Sequence, residues 1–413
     1  MPRDLPGLYW DEQRQRYFPL SSRPAIAHAK GAAPSGPQPK PQDTASTTMR
    51  GRSSTSRAFS RIRSVVRSAE KQNLIQIALT KKVTRTVIPS LLSRGQITTF
   101  QTVYHNGRLC SFAGDSMGWF YSSIIDTEDD AANWHTSHGW QPEFNLSSEV
   151  SSICISGSRC IATSFGPDCR ILHLPLDSVA EDIRVSRIDS RIVHDVWSAD
   201  LCGSRLVLGA NKRAVVIDDV AERAAVRQLM TDSDVFALAQ DDKILYTGLR
   251  NGALLRFDTR AGSVKRDALF DNVFTQKSNS ITNLKLLRDS QLLVSNVNGK
   301  ISTFDLRFCS CRPLMEFTGN VNSYTIKAPM VVDPSENIVF AAGQDHRVRL
   351  WSLRQGGAPL VSDEMSEDQS AFKHQFEHPV RVLQIMEDMD GTCLWIASGT
   401  ELYKYNLGQR IAT

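Results

Sequence analysis

Two four-residue boxes, Phe257–Arg260 (FDTR) and Phe304–Arg307 (FDLR), set a carboxylate two positions before a guanidinium. A third, Trp351–Arg354 (WSLR), keeps the arginine and lacks the aspartate. An Asp-x-Arg pair at a strand end has two uses. Asp258 and Asp305 can cap the following turn while Arg260 and Arg307 neutralise them locally. Alternatively, both arginines project from one face of neighbouring units and offer rigid forks to the carboxylates and carbonyls of a partner. Neither use is catalysis. The other chemically able residues do not converge either. His135 and His138 in NWHTSHGW are three apart, a spacing that can bind a metal on a helix. They fall in an expected loop, behind Asp126, Glu128, Asp129 and Asp130, where docking or plain solvation is the expectation. Ser116 stands beside Asp115 without the Gly-x-Ser-x-Gly elbow of a hydrolase. There is no glycine-rich phosphate loop. Eight cysteines are scattered, and Cys309 and Cys311 have no second ligand pair at zinc spacing. The expectation is no catalytic residue, no cofactor and no metal.

A second group able to bind lies at the start of the chain, in LPGLYWDEQRQRYFPL. Tyr9, Trp10, Tyr17 and Phe18 form two tiny aromatic strands around a polar turn. An isolated hairpin is barely stable in water, so it should pack on the rest of the chain or on a partner. Residues 21–55 are rich in Pro, Gly, Ser and Ala and read as a disordered linker. Residues 56–95 read as a basic amphipathic helical segment. Phe59, Ile62, Val66 and Ala69 follow helical spacing, and Arg57, Arg61 and Lys71 lie off that stripe. Ser54 or Ser56 can cap the start and Pro89 stops it. The stripe either enters a partner's groove or lies across the chain's own fold.

Charge is unevenly spread. The net charge of +4 is small, yet between Asp43 and Asp115 the only acidic residue is Glu70, against twelve arginines and lysines. Such a block suits an acidic surface, RNA or an import receptor, or simply a solvated helix face. Residues 1–20 lack the apolar core of a secretory signal, and no run approaches a membrane span. The expectation is an intracellular chain with free thiols, nuclear and/or cytoplasmic, without membrane contact.

What positions the boxes is a repeat. RLCSFAGDSMGWFYSS, RCIATSFGPDCRILHLPL, RLVLGANKRAVVIDDV, KILYTGLRNGALLRFDTR, QLLVSNVNGKISTFDLR, NIVFAAGQDHRVRLWSLR and TCLWIASGTELYKYNL each give an aliphatic strand, a small residue, a turn and a second strand. The small residue falls at Gly114, Ser164, Ala210, Gly248, Asn296, Gly343 and Gly399, a spacing of 38 to 56 residues. Asn251-Gly252 and Asn298-Gly299 read as two-residue hairpin turns. Another apolar strand precedes each unit. A four-stranded sheet of this size cannot bury its own faces, so units must stack in a ring. The expected fold class is all-β: a seven-bladed β-propeller over residues 96–413 with a disordered and helical N-terminal extension. Ring closure is expected from QITTFQTVY, with Ile97 and Phe100, pairing with the last blade.

AAGQDHRVRLWSLR, with Asp345 in its turn and Trp351 at its strand end, resembles a WD-repeat unit, and His378 is similar to the His of the usual Gly-His step. The paired boxes resemble the Trp-Asp-x-Arg feature of WD-repeat substrate receptors of cullin-RING ubiquitin ligases, with Phe257 and Phe304 in place of Trp. PGLYWDEQRQRYFPL is similar to the N-terminal signature of one family of these receptors, the cullin-associated factors formerly called WD-repeat protein 21. The resemblance implies a non-catalytic receptor that recruits a protein substrate. Asp258, Arg260, Asp305 and Arg307, with the Phe59, Ile62 and Val66 stripe, would hold the ligase adaptor and, through it, a cullin. Tyr9, Trp10, Tyr17 and Phe18 complete the partner-binding set. Two rivals stay open: a WD-repeat scaffold in an RNA or ribosome-biogenesis assembly, which the basic block suits, and a propeller hydrolase, against which the empty motif search counts.

Overall fold

Each sequence repeat becomes one antiparallel sheet in the computed structural model of the chain. The residues described are 8–11, 16–19, 66, 68–88, 95–126, 139–177, 183–221, 226–260, 266–269, 279–288, 290–307, 312–322, 327–362, 364–388 and 391–408. They fall into two units, Met1–Ala58 and Phe59–Thr413. In the first, β1 (Leu8–Asp11) pairs antiparallel with β2 (Arg16–Pro19), Tyr9 opposite Phe18 and Trp10 opposite Tyr17. This is the hairpin expected from the two aromatic runs.

The second unit opens with helix α1 (residues 68–78) and β3 (Val83–Val87). Seven sheets follow. Blade 1 holds β4 (Ile97–His105), β5 (Arg108–Asp115), β6 (Trp119–Asp126) and β7 (Gln141–Asn145). Blade 2 runs from β8 (Val150–Ser156) through β9 (Arg159–Ser164) and β10 (Arg170–Pro175) to β11 (Arg184–Arg187). Blade 3 is β12 (Ser198–Cys202), β13 (Arg205–Ala210), β14 (Arg213–Ile217) and β15 (Val226–Met230). Blade 4 is β16 (Val235–Gln240), β17 (Ile244–Leu249), β18 (Leu254–Asp258) and β19 (Arg266–Leu269). In blade 5 stand β20 (Ile281–Leu287), β21 (Gln291–Asn296), β22 (Ile301–Asp305) and β23 (Met315–Phe317). Blade 6 shows β24 (Met330–Val332), β25 (Ile338–Ala342) and β26 (Val348–Ser352), and blade 7 has β27 (Val380–Asp388), β28 (Gly391–Ser398) and β29 (Glu401–Gly408).

The ring closes differently from the sequence expectation. β3, inside the segment read as helical, is the strand that pairs with β29, Val83 opposite Tyr405 and Val87 opposite Glu401. QITTFQTVY is not a strand of the last blade's sheet, although Ile97 N donates to the Gly399 carbonyl there (2.8 Å); it pairs with β5 as the first strand of blade 1. The reason is local. Asn106 (φ 49°) and Gly107 (φ 74°) form the two-residue turn that folds β4 onto β5. The propeller therefore begins before residue 96. At the two Asn-Gly pairs singled out above, only Gly252 (φ 83°) and Gly299 (φ 84°) take positive φ. There Asn251 Oδ1 accepts from Ala253 N (3.1 Å), and Asn298 Oδ1 from Lys300 N (3.1 Å), which makes longer Asx-type loops of both.

The core is divided among the blade junctions. Seven buried clusters stand among the described residues, one between each pair of neighbouring blades, including one that joins blade 7 to blade 1. Among the described residues each cluster joins two blades, so a blade buries its faces against its neighbours. The recurring small residue has a steric cause. A Cβ on Gly114 would lie 2.5 Å from Val150 Cβ, and one on Gly248 would lie 2.4 Å from Ile281 Cγ2. Val150 and Ile281 begin the inner strand of the next blade, so that strand can come close only where the side chain is missing. On the channel side, side-chain amides tie neighbours together. Gln384 exchanges bonds with the main chain of Thr102 (2.8 and 2.7 Å), and Gln240 donates to the Asp200 carbonyl (2.9 Å).

Trp351 is fully buried between blades 5 and 6, and its Nε1 donates to the Thr318 carbonyl at 2.8 Å. Trp351→Ala should cost about 3–5 kcal/mol, because it opens a cavity and strands that carbonyl. Urea unfolding would show a lowered midpoint; an unchanged midpoint would mean that this junction does not limit stability.

Candidate partner-binding faces

In every blade the first strand runs from one face of the ring to the other. The loops entering each inner strand, and those between second and third strands, mark an upper face. The loops between first and second strands, and the ends of third strands, mark the lower face. β18 ends at Asp258 and β22 at Asp305, so both Asp-x-Arg boxes open on the lower face at matching positions of adjacent blades.

The two boxes share one geometry. Asp258 Oδ1 accepts from Arg260 backbone N (2.9 Å) and Nε (3.0 Å), and Oδ2 accepts from Nη2 (2.7 Å). Asp305 grips Arg307 in the same way at 2.9, 3.0 and 2.8 Å. The local capping use foreseen for the boxes is thus realised in both. It does not remove the arginines from solvent: their side chains remain 63% and 64% exposed. A guanidinium has five N–H groups, and the side-on grip occupies one edge of the fork. In Arg260, Nη1 takes no part in it.

The hydrogen bonds from Arg260 hold the Asp258 carboxyl down at about 2, and those from Arg307 hold Asp305 below its ordinary value. A carboxylate held low adds its stabilisation above its unfolded pKa and loses it as pH falls toward the folded one. The Asp258–Arg260 pair should therefore persist from neutral pH down to about pH 3. An NMR titration of Asp258 should inflect near pH 2 and move back toward 3.8 in Arg260→Gln. An unmoved inflection would show that another group sets it.

The third box departs from the pattern. With Ser352 in place of the aspartate, Arg354 turns to Asn337 Oδ1 (3.1 Å) and to Glu70 Oε2 of α1 (2.9 Å). The one acidic residue of the basic block therefore anchors α1 beside the lower face. The rest of α1 binds its own propeller. Ile77 and Ala78 are buried and Leu74 half-buried against Phe340, Phe372 and Tyr405. Ser370 Oγ donates to the Ala78 carbonyl (2.6 Å), and Ala371 N donates to that of Thr80 (2.8 Å). Leu74, Ile77 and Ala78 thus cover the chain's own fold, and they follow the Phe59, Ile62, Val66 and Ala69 stripe along the chain. Ile75 and Leu79 stay 49% and 44% exposed on the outer side. Val66 is helical and half-buried, and Phe59 and Ile62 lie outside the described residues. The hairpin places the backbones of Tyr9, Trp10, Tyr17 and Phe18; their side chains, the 21–55 linker, His135, His138, Cys309 and Cys311 also lie outside the described residues.

The upper face holds a feature that sequence reading missed. A cavity of about 450 Å³ opens at the mouth of the central channel, lined by Trp197, Phe165, Lys327, Arg381 and Glu149 among others. These residues come from blades far apart in sequence. Only the apolar strand that recurs before each unit hinted at them.

Among the described residues no cluster of His, Cys, Asp or Glu could hold a metal ion, and no helix is long and apolar enough to cross a membrane.

Comparison with known proteins gives this geometry a context. Residues 189–370 match the family model "DDB1- and CUL4-associated factor 4 beta-propeller domain". The chain is 34% identical over 129 residues to human DDB1- and CUL4-associated factor 4-like protein 2, which covers 30% of this chain and 31% of that protein. It is 31% identical over 161 residues to human DDB1- and CUL4-associated factor 4, covering 38% and 31%. The matched segments thus span less than a third of these relatives. Among solved structures, the WD40 β-propeller domain of Doa1 superposes with a TM-score of 0.54 at 12% identity, over 79% of this chain and 96% of that one, a likeness of fold alone. Both Asp-x-Arg boxes and the WD-like unit at Trp351 fall inside the segment that the family model matches. In its β-propeller the chain is therefore similar to DDB1- and CUL4-associated factor 4, and the resemblance to that WD-repeat receptor family holds.

Proposed function

We propose that this chain is a non-catalytic substrate receptor that joins a target protein to a cullin-RING ubiquitin ligase, with DDB1 as the adaptor and CUL4 as the cullin. The observation that carries the reading is the pair Arg260 and Arg307. They stand at the same register in adjacent blades, share one face, and remain solvent-reached despite their internal partners. Arg354 extends this row to the next blade and links it to α1, so the lower face and the N-terminal helix form one continuous surface. The names of the relatives supply the partners: two human proteins similar to this chain are called DDB1- and CUL4-associated.

Each arginine carries its own counter-ion, so its pull on a partner is chiefly hydrogen bonding to carbonyls. Affinity should therefore depend only weakly on salt, whereas a scaffold binding RNA would lose it steeply through counterion release. The receptor needs two independent interfaces. Tethering raises the target's effective concentration beside a charged conjugating enzyme. Free thiols at Cys110, Cys154, Cys160, Cys169, Cys202 and Cys393 suit a reducing compartment, nuclear or cytoplasmic. Co-purification of DDB1 with wild-type chain and with an Arg260/Arg307 charge reversal tests the reading; equal yields would refute it.

A further inference from the structure

The cavity at the upper channel mouth takes no part in the lower-face interface, and its wall is built from three kinds of group. Phe165, Trp197 and Phe236 form an edge-to-face chain with centroids 4.7 and 5.0 Å apart, and Trp197 stays 38% exposed. Lys327 Nζ donates to the Phe236 carbonyl (2.9 Å), and Arg381 stands on the neighbouring blade. Among the described residues neither cation is in an ion pair within 4.0 Å. Lys327 is surrounded by protein yet open to channel water. That enclosure pushes its amine down to about 8, still protonated at neutral pH. Glu149 is the one carboxylate in the lining, and burial raises its pKa while Arg381 lowers it. The mouth is therefore cationic with an aromatic lip.

A feature of the backbone puts two of these groups, Arg381 and Phe236, there. Five inner strands break register at the same upper position, between Ile97 and Thr99, Val150 and Ser152, Val235 and Ala237, Ile281 and Asn283, and Val380 and Val382. The residues left out of the ladder are Thr98, Ser151, Phe236, Thr282 and Arg381. A bulge re-aims the extra side chain and recurs where function needs it. Thr98, Ser151 and Arg381 line the cavity, and Phe236 backs Trp197.

We infer that this mouth binds an acidic linear segment of a partner protein, an apolar or aromatic side chain resting on Trp197 and a carboxylate lying between Lys327 and Arg381. The inference rests on the receptor reading only in calling that segment the substrate's. Aromatic lips supply contact area, and paired cations supply selection by charge. A nucleic-acid strand would need a continuous cationic groove, and this is a single recess.

The test is selection of a library of short random peptides against the full chain, followed by fluorescence anisotropy on the enriched sequences. Enrichment of Asp or Glu beside Phe, Trp or Leu is expected. Lys327→Glu with Arg381→Glu, and separately Trp197→Ala, should each weaken binding about tenfold or more, while Arg381→Lys keeps most of it. Should the double reversal fail to fold, Arg381→Gln carries the same expectation. Amidating the peptide's C-terminus should change nothing, because the carboxylate is a side chain's. Arg260→Glu/Arg307→Glu should bind peptide normally, so loss of adaptor binding and loss of peptide binding are separable failures. Enrichment without acidic residues, indifference to the charge reversal, loss on amidation, or binding of labelled oligouridine that the same variants abolish would each overturn the inference.

Discussion

Arg260→Glu combined with Arg307→Glu should weaken adaptor binding roughly a hundredfold, enough to lose DDB1 from a purification while the chain melts as the wild type does. The stability half of this expectation follows from exposure. Each arginine is well over half exposed, so its pairing with the neighbouring aspartate adds little to folding. The binding half follows from what reversal does to the box. A glutamate two residues after Asp258 or Asp305 sets two carboxylates side by side and replaces a row of donors with a row of acceptors. Under the proposed reading, carbonyls on the adaptor would then meet repulsion in place of N–H donors. Asp258→Asn with Asp305→Asn is the informative counterpart. It frees the guanidinium groups without removing them, so binding should survive and become more sensitive to salt. Loss of DDB1 in both double variants, with folding intact, would mean that the boxes matter as shaped turns rather than as donors.

The other large effect concerns closure. A chain lacking residues 1–58 should fold and melt like the full chain, because that stretch forms its own unit. A chain starting at Gly95 should not. It would lose β3 and leave β29 from Glu401 to Tyr405 as an open edge. It would also lose Ile77, Ala78 and Ile88, which are 6%, 7% and 1% exposed in the clusters on either side of blade 7. Burial of each isoleucine is worth about 1.5–3 kcal/mol, and a domain's whole margin is about 5–15 kcal/mol. Size-exclusion chromatography should show aggregation, and thermal melting should lose its single sharp transition. If the chain starting at Gly95 instead gives a monomer with an unshifted melt, β3 is dispensable and the ring is sealed by blade contacts alone.

The blade count was readable because strand alternation and the small-residue step are local patterns with a local cause. Gly114 and Gly248 recur because the next strand must come within contact of their backbones. The Asp-x-Arg boxes were readable for the same reason: their partners are two residues away. Closure was misassigned because its deciding signal, Asn106-Gly107, lay outside the strand being assigned. In addition, VTRTV (Val83–Val87) follows a helical segment and shows its strand character only once Glu401–Tyr405 stands beside it. The longer Asx loops at Asn251 and Asn298 were misread for a similar reason. Asparagine can satisfy the turn through its own side chain and so need not enter the left-handed region.

Seven strand-turn-strand repeats, a paired aspartate and arginine at the end of two consecutive units, and an aromatic hairpin near the start are all legible along the chain. Short-range forces suffice for all of these. Folding alone brings β3 to β29 to seal the ring, Glu70 to Arg354, and Trp197, Lys327 and Arg381 to one mouth. A closed ring brings together the starts of strands from different blades, separated along the chain by scores of residues. No pattern along the chain encodes that meeting, because it arises from closure itself.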